Sequence, residues 1–493
     1  MSTARQVVRV IGRLMTSRLI YRVCVGLSVI QVSNYLIGDP SLIDAFDVAL
    51  SAVSIIMIMS EVGMSMVIMR HGAQQGKVAL QRFYGTGLVI ESTTWLLLQA
   101  SILGGYVLIN GVTRMFWLLL ILGIGQALIQ YRVVIRSAYR AIHHNEWISF
   151  VEVLDGISKL VGVWLITHYL TDLTTGALSI AVLYAVTTLI FVGWYALHSF
   201  KLVPPQFDQT LLKPMLGEGI WFSMQAVVTT IYFEIDKLIL RFYQLTGWAD
   251  IPAGDIGRYG AASRIIVFLL IFPRIGLQVI TPYLYEYYKT DLTKYRRVVL
   301  FSMRYLGAVG IALGVGLTAL ADQVMQLVYK ESLWSATPAL ELFGLFFAVR
   351  LLGTTSSQVF ATIDQQPLRT KLEAGSVVVN IILDIILIPQ FGFLGGAMAT
   401  LSTEILIQTV MYILAKRFTQ DSYWLTLWKL LPAAVAGAVM YGGIIFLKPH
   451  IPLPVSVLAG GTIYCLVLVA LRFFNKTDWE ILRPKSTATH TSP

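Results

Sequence analysis

Apolar runs of about twenty residues recur along this chain, separated by polar connections too short to fold by themselves. They lie near 19–37, 42–66, 84–109, 115–135, 148–169, 175–198, 217–240, 258–284, 298–320, 336–361, 372–388, 394–415, 428–447 and 453–471. Each matches the roughly 20 residues an α-helix needs to cross the hydrocarbon core of a bilayer. Inside that core only helices and closed barrels satisfy every backbone N–H and C=O. The reading is an all-α membrane protein of about fourteen transmembrane helices. With 56% hydrophobic and 13% charged residues, there is too little polar surface to cover a soluble body of 493 residues.

Basic residues sort to one side of the runs. Arg5, Arg9, Arg13, Arg18 and Arg22, then Arg70, Lys77 and Arg82, then Arg132, Arg136 and Arg140, and finally Arg472, Lys476, Arg483 and Lys485 flank one face, whereas Arg114, Arg241, Arg258, Lys330 and Lys448 flank the other. The positive-inside rule then puts both termini in the cytoplasm. Contact with anionic lipid at that face accounts for the net charge of +10, so no nucleic-acid partner is expected. The first run ends in Gly38-Asp39-Pro40 without a small-x-small cleavage site, so it reads as a retained helix and not a signal peptide. Residues 5–15 fit an interfacial amphipathic helix and, equally well, a plain charged anchor. Cys24 and Cys465 sit in apolar runs without ligand-spaced neighbours, so neither a disulfide framework nor a metal site is expected.

The chain repeats internally. Arg140–Glu152 aligns with Ala361–Glu373 at an offset of 221, Gly176-Ala177 with Gly396-Ala397 at 220, and Phe46-x-x-Ala49 with Tyr259-x-x-Ala262 at 213. Three matches in one order at nearly constant offset predict a duplicated six-helix unit. The lobes are 19–198 and 217–415, two further helices occupy 421–474, and cytoplasmic tails occupy 1–18 and 475–493. Six is an even number, so the lobes are parallel repeats about an axis along the membrane normal, a design that rocks around a substrate site between lobes.

Ionisable groups inside the membrane cost several kcal/mol unless they pair or face water, which makes each a functional candidate. The embedded bases are Lys159, Lys237, Arg264, Arg274 and Arg350. Lys237 has Glu234 three residues before it and Asp236 adjacent, and Lys159 has Asp155 four before and Glu152 seven before, so internal pairs are expected for both lysines. Arg22 and Arg304 are close enough to the cytoplasmic boundary to snorkel. Glu61, Glu91, Asp155, Asp236, Asp384 and Glu404 are the embedded acids that could carry a coupling proton or sodium ion, and the sequence does not choose among them. Pro273 interrupts its run beside Arg274, where a kink is expected. Gly307, Gly310, Gly314 and Gly316 suit close helix packing, and Tyr283, Tyr285, Tyr287 and Tyr288 an interfacial aromatic belt.

One stretch is specific. Asn380-Ile-Ile-Leu-Asp-Ile-Ile-Leu-Ile-Pro389-Gln-Phe-Gly392-Phe-Leu-Gly395-Gly396-Ala-Met-Ala-Thr400 joins two apolar runs through a Pro/Gly hinge. It resembles the hinge of the polysaccharide and oligosaccharide flippases, the Wzx-type transporters of the multidrug, oligosaccharidyl-lipid and polysaccharide exporter superfamily. Asp236-Lys237-Leu-Ile-Leu240, Gly257-Arg-Tyr-Gly-Ala-Ala-Ser-Arg264 with Pro282-Tyr-Leu, and Glu61-Val-Gly-Met-Ser-Met-Val-Ile-Met-Arg70 resemble that family's seventh, eighth and second helices. Asp44-Ala-Phe-Asp47 departs from it, since the family usually has Gly after the aromatic residue. The resemblance implies a flippase in the bacterial cytoplasmic (inner) membrane. Its substrate would be an undecaprenyl-pyrophosphate-linked oligosaccharide bound for O-antigen, capsule or exopolysaccharide, and a polysaccharide polymerase and assembly proteins would be partners. Arg264, Arg274 and Arg350, with Lys237, would hold the pyrophosphate, because guanidinium forks match phosphate oxygens.

Two other readings compete. A cation-coupled multidrug or toxin antiporter would prefer an acidic cavity, and here embedded bases and acids are similar in number. A membrane-embedded polymerase or ligase needs catalytic groups at a lumen or a large external loop, yet the longest external loop, about 241–257, is short and no nucleophile motif appears. No enzymatic activity and no cofactor are therefore expected.

Overall fold

The computed structural model describes residues 3–142, 146–270, 281, 284–419 and 423–474, and among them there are helices and no strands. Contacts divide the chain into two compact units, Met1–Ala261 with Ile381–Gly396, and Ala262–Asn380 with Ala397–Pro493.

The first unit holds α1 (Thr3–Leu36), α2 (Pro40–Glu61), α3 (Met64–Gln75), α4 (Lys77–Asn110), α5 (Arg114–Ala141), α6 (Glu146–Tyr169), α7 (Leu173–Leu202) and α8 (Leu212–Thr246), plus the first turns of α9 (Asp255–Leu269). α1 runs from Thr3 to Leu36, and no proline or glycine lies between Arg13 and Arg22 to end it. Asp39 caps α2, accepting from the amides of Ser41 and Leu42. The Ser41 hydroxyl, with these amides, holds its carboxyl below the usual carboxylate range.

α2 and α3 are one apolar span broken in the middle, where Val62 and Gly63 both take left-handed conformations, with φ of 45° and 70°. The break packs backbone on backbone: a Cβ at Gly63 would overlap the carbonyl oxygen of Gly219 on α8, and one at Gly219 that of Val62. α1 packs on α6, α5 on α7, and α2 on both α5 and α8.

The second unit holds the rest of α9, then α10 (Leu292–Ala319), α11 (Ala321–Val328), α12 (Thr337–Thr362), most of α13 (Gln366–Phe391) and α14 (Phe393–Thr419), and finally α15 (Tyr423–Leu447) and α16 (Leu453–Ala470). α10 lies along α12 because glycines let the backbones meet. A Cβ at Gly310 would come within 2.5 Å of Leu351 Cβ, and one at Gly314 within 2.5 Å of the Gly344 carbonyl oxygen. Arg304 donates to the Phe473 carbonyl with its guanidinium 4.4 Å from the Phe473 ring centroid. Pro273, Pro282 and Tyr283 lie outside the described residues.

The hinge between α13 and α14 is a single residue. Pro389 sits two residues inside the end of α13, so the helix runs on past its proline. Proline has no N–H for the Ile385 carbonyl one turn back. That orphaned acceptor takes the Tyr243 hydroxyl of α8 at 3.1 Å instead. Gly392 then turns the chain at φ 60°, and a Cβ at Gly395 would overlap the Leu387 carbonyl, so only glycine fits there.

Eleven described helical stretches are long and apolar enough to cross a membrane. α6 and α8 are as long but carry Glu152, Asp155 and Lys159, and Glu234, Asp236 and Lys237, respectively. The burial pattern is that of a protein dissolved in lipid. On α4, Leu96, Leu97 and Leu108 are exposed while Glu91 and Gln99 are buried. The chain is a multi-pass membrane protein.

Candidate functional site

Three of the motifs singled out above converge on one spot in the first unit. Asp236 of α8 is fully buried, and the hydroxyl of Tyr259, the aromatic residue of the Gly-x-Tyr-x-x-Ala motif, donates to its Oδ2. The hinge packs over both, for a Cβ at Gly396 would lie 3.2 Å from the Tyr259 ring and 3.7 Å from Asp236 Cβ. Asp384 of α13, also fully buried, comes beside Asp236, and neither Asp384 oxygen meets an N–H or O–H donor among the described residues. Two neighbouring buried carboxyls carry negative charge that a proton or a small cation neutralises.

The same spot is anchored to its surroundings by further carboxylates. Asp44 of α2 accepts from the amides of Gly257 and Gly254 and from Gln244 Nε2, each at 2.8 Å, which ties α2 to the turn ahead of α9. Asp255 takes Arg258 Nη1 at 2.6 Å and the amide of Phe393, so it caps the first turn of α14. Glu234, one turn from Lys237, accepts Lys237 Nζ at 2.6 Å and the Ser51 hydroxyl at 2.7 Å.

Asp155 of α6 lies in a second buried group. It takes Lys159 Nζ at 2.9 Å and Arg132 Nη1 at 2.6 Å, while Arg132 Nη2 donates to the Tyr21 hydroxyl at 2.8 Å. Arg132 was expected among the basic residues flanking the membrane. It is instead 4% exposed, inside α5, because Asp155 and Tyr21 compensate its charge there. Glu152, expected beside Lys159, pairs with Arg136 of α5. A stripe of Arg132, Arg136 and Arg140 at spacing four, with Glu152 and Asp155 three apart on the next run, is the sequence signal that matches this pairing.

In the second unit Arg350 of α12 donates to Glu404 Oε2 of α14 at 2.9 Å, and Gln408 donates to Glu404 Oε1 at 2.6 Å. Glu404 is fully buried while the Arg350 side chain is 29% exposed, so the base and not the acid faces outward from the pair. Arg264 is half-buried on α9. Arg274 lies outside the described residues. Glu61, at the break after α2, accepts from the Ser65 hydroxyl. Among the described residues no group of three or more His, Cys, Asp and Glu could hold a metal ion.

No protein-family model matches the chain. It is 26% identical over 364 residues to the probable flippase AglR of Haloferax volcanii, a match covering 70% of this chain and 71% of that one. Among solved structures, the lipid II flippase MurJ in an inward closed conformation superposes with a TM-score of 0.76 at 16% identity, covering 95% of this chain and 99% of that chain. An inward-facing multidrug resistance MATE family transporter of the MOP superfamily superposes with a TM-score of 0.65 at 15% identity, over 82% and 98% of the two chains. A MOP superfamily transporter from Pyrococcus furiosus gives 0.59 at 15% identity, over 83% and 95%.

Proposed function

We propose that this chain, a multi-pass membrane protein with the fold of the MOP superfamily, is a flippase that carries a lipid-linked oligosaccharide across the membrane by alternating access. The observation that carries this reading is the likeness, by independent routes, to a probable flippase and a lipid II flippase: AglR by sequence over 70% of the chain and MurJ by fold over 95%. The partly exposed Arg350 supplies a planar fork for the pyrophosphate of such a substrate, with Arg264, Arg274 and Lys237 as the further cations. Transport is coupled to a cation at Asp236 and Asp384. Asp155 and Glu404 already face Arg132, Lys159 and Arg350, whereas Asp384 meets no N–H or O–H donor among the described residues.

Gln in place of Arg264, Arg274 or Arg350 removes the charge but keeps a polar side chain. Each variant is expected to lower flipping of a fluorescent lipid-linked oligosaccharide in proteoliposomes by about tenfold or more, the weight of one charge-assisted hydrogen bond. Lys at the same positions recovers part of the rate, because a point charge cannot reproduce a bidentate fork. Wild-type rates in all three Gln variants would place the headgroup elsewhere. Export of cationic dyes, with no flipping of the glycan lipid, would favour the multidrug reading that the MATE likeness keeps open.

We further assign the protein to the bacterial inner membrane, on the resemblance of its motifs to the Wzx-type flippases, with both termini cytoplasmic, on the asymmetry of the flanking bases. Single cysteines at Ser2 and Thr487 are then protected from an impermeant thiol reagent in intact cells and labelled after permeabilisation. Labelling of either position in intact cells would reverse the orientation.

A further inference from the structure

Glu91 lies in the middle of α4, 1% exposed, and neither of its carboxyl oxygens has a hydrogen-bond partner among the described residues. Its charged neighbour is Glu61, another acid. They meet because the Thr94 hydroxyl, one turn along α4 from Glu91, reaches the Ser60 carbonyl at the end of α2 at 2.7 Å, which fastens α4 to the residue before Glu61. The surrounding elements bring hydroxyls whose hydrogens point elsewhere. Ser65 of α3 donates to Glu61, Thr94 to backbone carbonyls, Ser92 of α4 to the Leu88 carbonyl, and Tyr131 of α5 to Ser92. From α8 the approach is made by the backbone of Gly219 at the break. Arg70 and His71, further along α3, are turned to Glu218 of α8.

We infer that Glu91, beside Glu61, is a proton-binding site at the break between α2 and α3, separate from Asp236 and Asp384. A bare carboxylate in this setting would carry the full cost of an unpaired buried charge. A proton removes that cost with no coordination shell, whereas a sodium ion needs several oxygens free to turn toward it. Val62 and Gly63 make the site responsive, because a span already broken at two left-handed residues can change its bend without losing further helical hydrogen bonds. The inference deepens the reading of the chain as a cation-coupled transporter and gives the first unit a second cation site, for a proton, on a different set of helices.

Infrared spectroscopy of the full-length protein in detergent, without substrate, tests this apart from transport. A protonated buried carboxyl gives a carbonyl-stretch band, and the expected result is a band that shifts when glutamate is labelled with ¹³C at its side-chain carboxyl. Glu91→Gln abolishes that band while Asp384→Asn retains it. In Glu91→Asp, which keeps a carboxyl and tests the site even if Gln is not tolerated, the band returns to the unlabelled position, because its carbon no longer comes from glutamate. An identical labelled band in Glu91→Gln and wild type overturns the assignment. So does its removal by sodium chloride at constant pH, which would make the ligand sodium. Loss of flipping activity with these bands intact would overturn the transport reading and leave the proton site standing.

Discussion

Asn in place of Asp236 or Asp384 is expected to uncouple transport, with the acceleration of flipping by an imposed proton or sodium gradient falling about 10- to 100-fold, the usual span of a coupling free energy between two sites. Both side chains are fully buried and adjacent, so each Asn variant leaves one carboxyl where two stood. The amide oxygen of an Asn at 236 still accepts from Tyr259, so α8, α9 and the hinge keep their contact. Relief of like-charge crowding should leave thermal stability in detergent unchanged or raised, and lost coupling without lost stability is the signature of a functional pair of acids. Separate proton and sodium gradients identify the cation. If both variants respond to either gradient as the wild type does, the coupling site lies elsewhere.

Ala in place of Asp155 is expected to act in the opposite way, on folding first. Its carboxylate lies between Arg132 and Lys159, whose side chains are 5% and 4% exposed, and removing the shared anion leaves two cations buried against each other. Breaking a buried pair in this manner costs about 3–5 kcal/mol. A large drop in the melting temperature of purified protein, with little protein recovered from the membrane, is the expected measurement. Adding Lys159→Met should recover part of the loss, since Tyr21 and its ring, 5.0 Å from the guanidinium, still hold Arg132. Strict additivity of the two substitutions in a double-mutant cycle would mean that the three side chains do not act as a unit.

Much of this protein was legible as a string. A membrane span is announced by about twenty consecutive apolar residues, and hydropathy adds up residue by residue along one helix without reference to any other. The hinge was legible for a related reason: Pro389 and Gly392 restrict or free their own backbone dihedrals wherever they stand. The pair Lys159–Asp155 and the pair Lys237–Glu234 were also within reach, because residues three or four apart on a helix are neighbours before any tertiary structure exists.

The charges that cross between helices were decided otherwise. Arg132 meets Asp155 across 23 residues and Arg350 meets Glu404 across 54, while Asp236 and Asp384 come from separate helices joined only by the fold. At the 221-residue offset between the halves Asp155 falls on Ser376 and not on Asp384, and the structure puts the two acids in different company, one between two cations and the other beside a second acid. Which side of a helix faces a partner depends on its rotation and register, and those are set by close contacts such as Gly63 on Gly219 and Gly396 on Tyr259. Hydropathy determined roughly where the membrane-spanning helices lie. Packing at the glycines decided which buried charges find a counter-charge and which, like Asp384 and Glu91, meet another acid and no hydrogen-bond donor among the described residues.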